Sequence, residues 1–153
     1  MTSIDTINIE PFEYQIMGIR LLSFKVSDKI DDGNPNEMTI FLQYKISFNI
    51  SENLFELVLK ANYRYPNKQE DKVEIEVQNL FKIKDLAKYI GQNNEINIPS
   101  HGLVGIVGLS LSHTRAVIAT QLIGTPYNNL LIPIANPWDL AREFFGDKIQ
   151  ELK

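Results

Sequence analysis

The 153-residue chain predicts an α+β fold in which a four-stranded antiparallel sheet is followed by a long apolar helix and a short C-terminal helix. Three observations carry that prediction. Residues 73–83 alternate with the period of a strand: Val73, Ile75, Val77, Asn79, Phe81 and Ile83 face one way, and Glu74, Glu76, Gln78, Leu80 and Lys82 the other. Between Glu95 and Asp139 the only residue with a formal charge is Arg115, so the 43-residue run from Ile96 to Trp138 must be largely buried. Finally, Asn136-Pro137 couples an N-capping side chain to a proline at the first helical position, which opens a last helix.

Size and charge bound the rest. A chain of 17.5 kDa is one domain, 1–153, able to bury a core without metal or disulfide staples, with residues 1–10 expected to be flexible. Cysteine is absent, which removes thiol nucleophiles, thiolate metal sites and disulfides. Met1 to Gln15 carry Asp5, Glu10 and Glu13 and lack a basic start followed by an apolar core, so a cytoplasmic protein without a secretory signal is expected. The net charge of -4 and pI near 5.2 speak against nucleic acid as a partner. Residues 1–95 hold 15 acids and 11 bases and the remainder four of each, so the first two-thirds form the wet surface.

In chain order, Pro11 to Val26 alternates imperfectly and reads as one long or broken strand, and Ser27 to Glu37 is a loop broken by Asp32-Gly33 and Asn34-Pro35. Met38 to Ile50 and Leu54 to Tyr65 are strands joined tightly through Ser51-Glu52-Asn53. Pro66 to Lys72 is a charged turn before the fourth strand. A short helix over Asp85 to Ile90 and a polar connector, Gly91 to Asn97, lead to Pro99. The long helix opens at Pro99 and closes near Gly124-Thr125-Pro126. Along it Val104, Val107, Leu111, Ile118 and Leu122 form a bulky stripe suited to a sheet. Gly102, Gly105, Gly108, Ser112, Ala116 and Ala119 form a second face with almost no side chain, which suits close approach of another subunit. Length alone would permit a membrane span, but Ser110, Ser112, His113, Thr114, Arg115 and Gln121 argue against insertion. Tyr127 to Ala135 is an extended crossing that Pro133 keeps from being a central strand. The closing helix, Trp138 to Leu152, buries Ala141, Phe145, Ile149 and Leu152 and exposes Glu143, Asp147, Lys148 and Glu151.

Residues that would carry catalysis or hold a cofactor or metal do not assemble in the sequence. The glycines at 102, 105 and 108 are no phosphate loop, because no strand leads into them and no Lys-Ser/Thr follows. His101 and His113 would lie about 18 Å apart on one helix, too far to share a metal. Arg115, a lone charge in an apolar run, needs a partner: an ion pair to the sheet or another subunit is the bland reading, an anchor in a binding groove the sharp one. The strand aromatics, among them Phe12, Tyr14, Phe41, Tyr44, Phe55, Tyr63 and Phe81, exceed what a one-sided core needs, and some would form an exposed apolar groove.

The order of four strands, connector, long apolar helix, proline-containing crossing and short last helix resembles the SecB family of export chaperones over Pro11 to Leu152. Two stretches carry the likeness in sequence. Val77-Gln78-Asn79-Leu80-Phe81-Lys82-Ile83 resembles the family's last strand. Arg115, Thr125 and Leu131-Ile132-Pro133-Ile134-Ala135-Asn136-Pro137 resemble its long helix and the run before the last helix, with Ala116 in place of the family's glycine. The resemblance implies a homotetramer, a dimer of dimers with long helices sandwiched between sheets, in which Arg115 and the small-residue face form the oligomer interface. It also implies an ATP-independent chaperone that binds unfolded polypeptide clients in apolar grooves, with Phe81, Ile83, Leu131 and Ile134 as groove residues and no cofactor. The surface is less acidic than that of typical export chaperones, and no disordered tail is expected after Lys153. The partner that receives the client is therefore open between the translocation motor and an antitoxin. Competing readings are a dedicated toxin-antitoxin chaperone, an oligomeric ligand carrier, and a hot-dog-type thioesterase. The last lacks its base, since no carboxylate falls between Ile96 and Trp138.

Overall fold

A computed structural model of the protein describes residues 11–27, 34–130, 132–133 and 135–146. Its elements are β1 (Tyr14–Val26), β2 (Thr39–Asn49), β3 (Leu54–Arg64), β4 (Val73–Ile83), α1 (Ser100–Gln121) and α2 (Pro137–Phe145). The four strands form one antiparallel sheet, as the period-two patterning predicts, and their order is β1-β4-β3-β2. Three strands run as consecutive hairpins, and β1 lies outside β4, so β1 and β2 are the edges. The β2–β3 turn is held by Asn49, whose Oδ1 accepts from the Ser51 hydroxyl and the Glu52 N–H, while Asn53 takes the left-handed backbone at φ 58°.

Register fixes what each face carries. Phe55 pairs with Phe81, Leu59 with Val77 and Ala61 with Ile75, so β3 and β4 turn a continuous apolar face toward the helices. All six of these side chains are fully buried. The opposite face holds Glu56, Lys60, Glu74, Glu76 and Gln78, linked by Gln78 to Glu56 at 2.8 Å and Lys60 to Glu74 at 3.6 Å. Asn79 is the one polar residue on the covered face of β4. Its Nδ2 donates to the Leu57 carbonyl (3.4 Å), and its Oδ1 faces His113 Nδ1 of α1 (3.1 Å), so its amide is satisfied.

The 22 residues of α1 lie over β3, β4 and the start of β1, with Leu103, Ile106, Val107, Ile118 and Leu122 buried toward the sheet. Gly124, at φ 81°, follows its end where the sequence places a stop. Two short 3-10 turns, Leu86–Tyr89 and Gln92–Asn94, connect β4 to α1, the first within the short helix expected over 85–90. The crossing expected to be extended over Tyr127 to Ala135 instead begins in turns, with the Asn128 N–H donating to the Thr125 carbonyl and the Leu130 N–H to that of Tyr127, and its described residues form no strand. Asn136 caps α2 by accepting from the Trp138 N–H at 2.9 Å, with Pro137 at N1.

The buried side of α2 differs from the sequence reading. Leu140, Ala141 and Phe144 are buried, while Phe145 is half-buried. Ala141 is buried as expected; Pro137 seats against Gly108 of α1 and Tyr44 stacks on Phe144, so Leu140 and Phe144 share its buried side and Phe145 lies at the margin. Ile149 and Leu152, expected to be buried, lie outside the described residues, as do residues 1–10.

A candidate polypeptide-binding surface on the sheet edges

The small-residue face of α1 divides into two parts. Gly102 and Gly105 lie under β1 and the residues just before it: a Cβ at Gly102 would fall 2.5 Å from the Phe12 ring, and one at Gly105 would collide with the Tyr14 hydroxyl. Gly108 lies against Pro137, 3.4 Å from where its Cβ would be. All three glycines thus admit side chains of their own subunit, because a helix surface stripped of side chains receives whatever neighbour is bulky: Phe12 and Tyr14 at Gly102 and Gly105, and Pro137 at Gly108. The other members point elsewhere. Ser112 and Ala116 are exposed and Ala119 is half-buried, and they run with half-buried Leu109, exposed Thr120 and Ile123 (75% exposed) along one stripe. Arg115 makes no ion pair among the described residues. Its Nε donates to the Ile132 carbonyl at 2.9 Å, which ties the crossing to the helix.

Phe81 and Ile83 are both fully buried. Ile83 pairs with Tyr14, and the Tyr14 ring stands edge-on to Phe81 at 6.1 Å, so the β1 aromatics and α1 form the cover over this end of β4. A chain binding there meets Phe12 and Tyr14 first. Leu131 and Ile134 lie outside the described residues; of their neighbours Leu130 and Ile132 are buried and Pro133 is exposed.

Large apolar side chains left open concentrate on the two edge strands. On β1 these are Ile16, Met17, Ile19 and Leu22, and on β2 Phe41 and Tyr44, each between 42% and 48% exposed. Two register breaks in β1, between Ile16 and Gly18 and between Leu21 and Ser23, place Met17 and Leu22 at irregularities of the ladder, where a strand bends and re-aims its side chains. Ile16 and Ile19 pair with Phe81 and Asn79, so they extend the covered face of the sheet outward past the reach of α1. Tyr44 does the same on the other edge, and its hydroxyl donates to the Phe144 carbonyl at the end of α2 (2.5 Å), with the two rings stacked at 4.2 Å. A cleft of about 700 Å³ opens at the start of β1, walled by Phe12, Tyr14 and Asn53 and edged by the Glu13–Lys84 ion pair at 3.1 Å.

The titratable groups near this surface are few. His113 is held below the usual imidazole range by burial, and with Asn79 Nδ2 committed to Leu57, the neutral ring donates from Nδ1. Burial pushes the Tyr63 hydroxyl up to about 12, and its oxygen has no hydrogen-bond partner among the described residues. His101 packs edge-on against Phe12, with ring centres 6.4 Å apart. What the arrangement offers a ligand is open apolar area and unpaired strand edges, the means by which proteins take up extended chains. The sequence contained these residues but not their exposure. Phe41 and Tyr44 belong to the surplus of aromatics, yet which of that surplus stays open depends on which strands are edges.

No family model and no curated protein matches the chain. Among solved structures it is similar to Mycobacterium tuberculosis Rv1957, a SecB-like chaperone in complex with a ChAD peptide from the Rv1956 HigA1 antitoxin. The likeness has a TM-score of 0.51 and 16% sequence identity, and it spans 80% of this chain and 90% of that one. Strand order, long helix and short last helix together therefore give the chain the fold of a SecB-like chaperone.

Proposed function

We propose that the protein is a polypeptide-binding chaperone that holds unfolded or extended segments by apolar contact, without ATP, cofactor or covalent chemistry. The observation that carries this reading is the open apolar surface on the two edge strands: Ile16, Met17, Ile19 and Leu22 on one, and on the other Tyr44 on the helix side and Phe41, under the Arg64 guanidinium, on the opposite face. Exposed apolar groups beside unpaired backbone are a hazard for a protein that binds nothing and a site for one that takes up chains. Phe81, Ile83, Leu131 and Ile134 are proposed as deeper contacts, the first two reached when Phe12 and Tyr14 move aside. The fold likeness supports the same reading, and the antitoxin peptide bound by the similar M. tuberculosis protein favours a toxin-antitoxin client over handover to the translocation motor.

We further assign the assembly to a cytoplasmic homotetramer, a dimer of dimers, with Ser112, Ala116 and Ala119 of α1 facing other subunits and Gly102, Gly105, Gly108 and Arg115 shaping that helix from within. Although α1 is long and apolar enough to cross a bilayer, its stripe on the sheet makes it a core helix. To test the holding activity, a chemically unfolded client is diluted into buffer with the wild type or with Ile16→Ser/Leu22→Ser/Phe41→Ser. The wild type is expected to suppress aggregation near stoichiometric ratio, and the triple variant to need about tenfold more protein, equivalent to ~1.4 kcal/mol of lost binding. Equal suppression by both proteins would remove the sheet edges from the site.

A further inference from the structure

The edge strands differ from the inner strands in charge. β1 and β2 together contain Arg20, Lys25 and Lys45 and no carboxylate, while the acids of the sheet, Glu56, Glu74 and Glu76, all lie on β3 and β4, in a chain whose net charge is -4. Those acids are half-buried and engaged: Glu56 accepts from Gln78 at 2.8 Å, Glu76 from the Ser23 hydroxyl at 3.4 Å, and Glu74 lies 3.6 Å from Lys60. Arg20, Lys25 and Lys45 are exposed, and none has an ion pair among the described residues. Register sets all three on the face away from the helices, opposite Gln78, Glu74 and Val58. On the helix side the same strands leave Ile16, Ile19 and Tyr44 open.

An extended segment laid along either edge sends successive side chains to opposite faces. Along β1 one set of side chains then meets Ile16 and Ile19 and the other Arg20 and Lys25; along β2 the two sets meet Tyr44 and Lys45, with Phe41 on the same face as Lys45. We propose that the segments this protein selects alternate apolar and acidic residues, and that Arg20, Lys25 and Lys45 are its specificity-determining residues. This rests on the polypeptide-holding reading above and adds to it the class of segment held. A carboxylate beside a rim cation speeds encounter and fixes register, whereas a lysine in the same place is repelled, so the charges discriminate more than they bind. A continuous polyanion fits poorly, because Glu74 and Glu76 stand between the cations of β1 and that of β2.

The test is fluorescence anisotropy on the full chain with two short labelled peptides that share alternating apolar residues and differ in carrying Asp or Lys between them. The Asp peptide is expected to bind about tenfold more tightly at ~0.05 M salt and within about twofold of the Lys peptide at ~0.5 M, as screening of exposed charges requires. R20E/K25E/K45E is expected to reverse the preference, and R20Q/K25Q/K45Q, which adds no acids to the edges, to bring the two peptides to parity. Equal binding of both peptides to the wild type, or a preference unchanged in both variants, overturns the charge selection while polypeptide holding stands; the cations would then serve only to keep the edges from pairing. Binding of neither peptide overturns both.

Discussion

A methyl group added at Gly102 meets the Phe12 ring, and one added at Gly108 meets only Pro137 at an ordinary contact distance. The same substitution on the same helix therefore has opposite signs. Gly102→Ala is expected to lower stability by about 1–3 kcal/mol through overpacking, and Gly108→Ala to raise it by up to ~1 kcal/mol through helix propensity, both read from urea midpoints. His113 carries a pH dependence whose sign follows from its lowered value. Because the folded state disfavours the imidazolium, the unfolded chain binds the proton first. The stabilising contribution is complete above the unfolded value of about 6.5 and declines as pH falls below it. Between pH 7.5 and 5.5 the wild type should lose more thermal stability than His113→Gln, and an equal loss would place the acid sensitivity elsewhere.

At the scale of elements, β2 and α2 are joined by one side chain. The Tyr44 ring stacks on Phe144 while its hydroxyl satisfies a carbonyl at the helix end, where orphan acceptors are otherwise left to water. Tyr44→Ala is expected to speed amide exchange across 137–145 by about tenfold or more, a loss of ~1–2 kcal/mol of local stability, and Tyr44→Phe to have a smaller effect. Exchange unchanged in Tyr44→Ala would show that α1 alone holds α2. These elements were legible to different degrees, for physical reasons. β4 could be read because one covered and one wet face force Val73 to Ile83 to alternate. The start of α2 was visible because Asn136-Pro137 is a local signal. Its buried side was not, since Phe144 and Phe145 are equally apolar and only Pro137 on Gly108 and Tyr44 on Phe144 choose between them. Small residues at 102, 105 and 108 announced a close approach without saying to what: the spacing that admits a second helix also admits Phe12 and Tyr14.

Across the whole molecule, the strand order β1-β4-β3-β2 decides where function can reside, and it is set by non-local pairing that no stretch of sequence encodes by itself. It closes β3 and β4 on both sides by neighbours and leaves β1 and β2 with open apolar side chains and with cations that make no ion pair among the described residues. The candidate site was therefore legible only as a surplus of aromatics and as a resemblance in chain order, and its location became clear once the edges were known. Mass in solution by light scattering, with and without a slowly refolding client, separates a holding chaperone from a passive oligomer. A particle near four times the 17.5 kDa chain mass should grow by the mass of the client only while the client is unfolded. A particle indifferent to the unfolded client would rule out polypeptide holding.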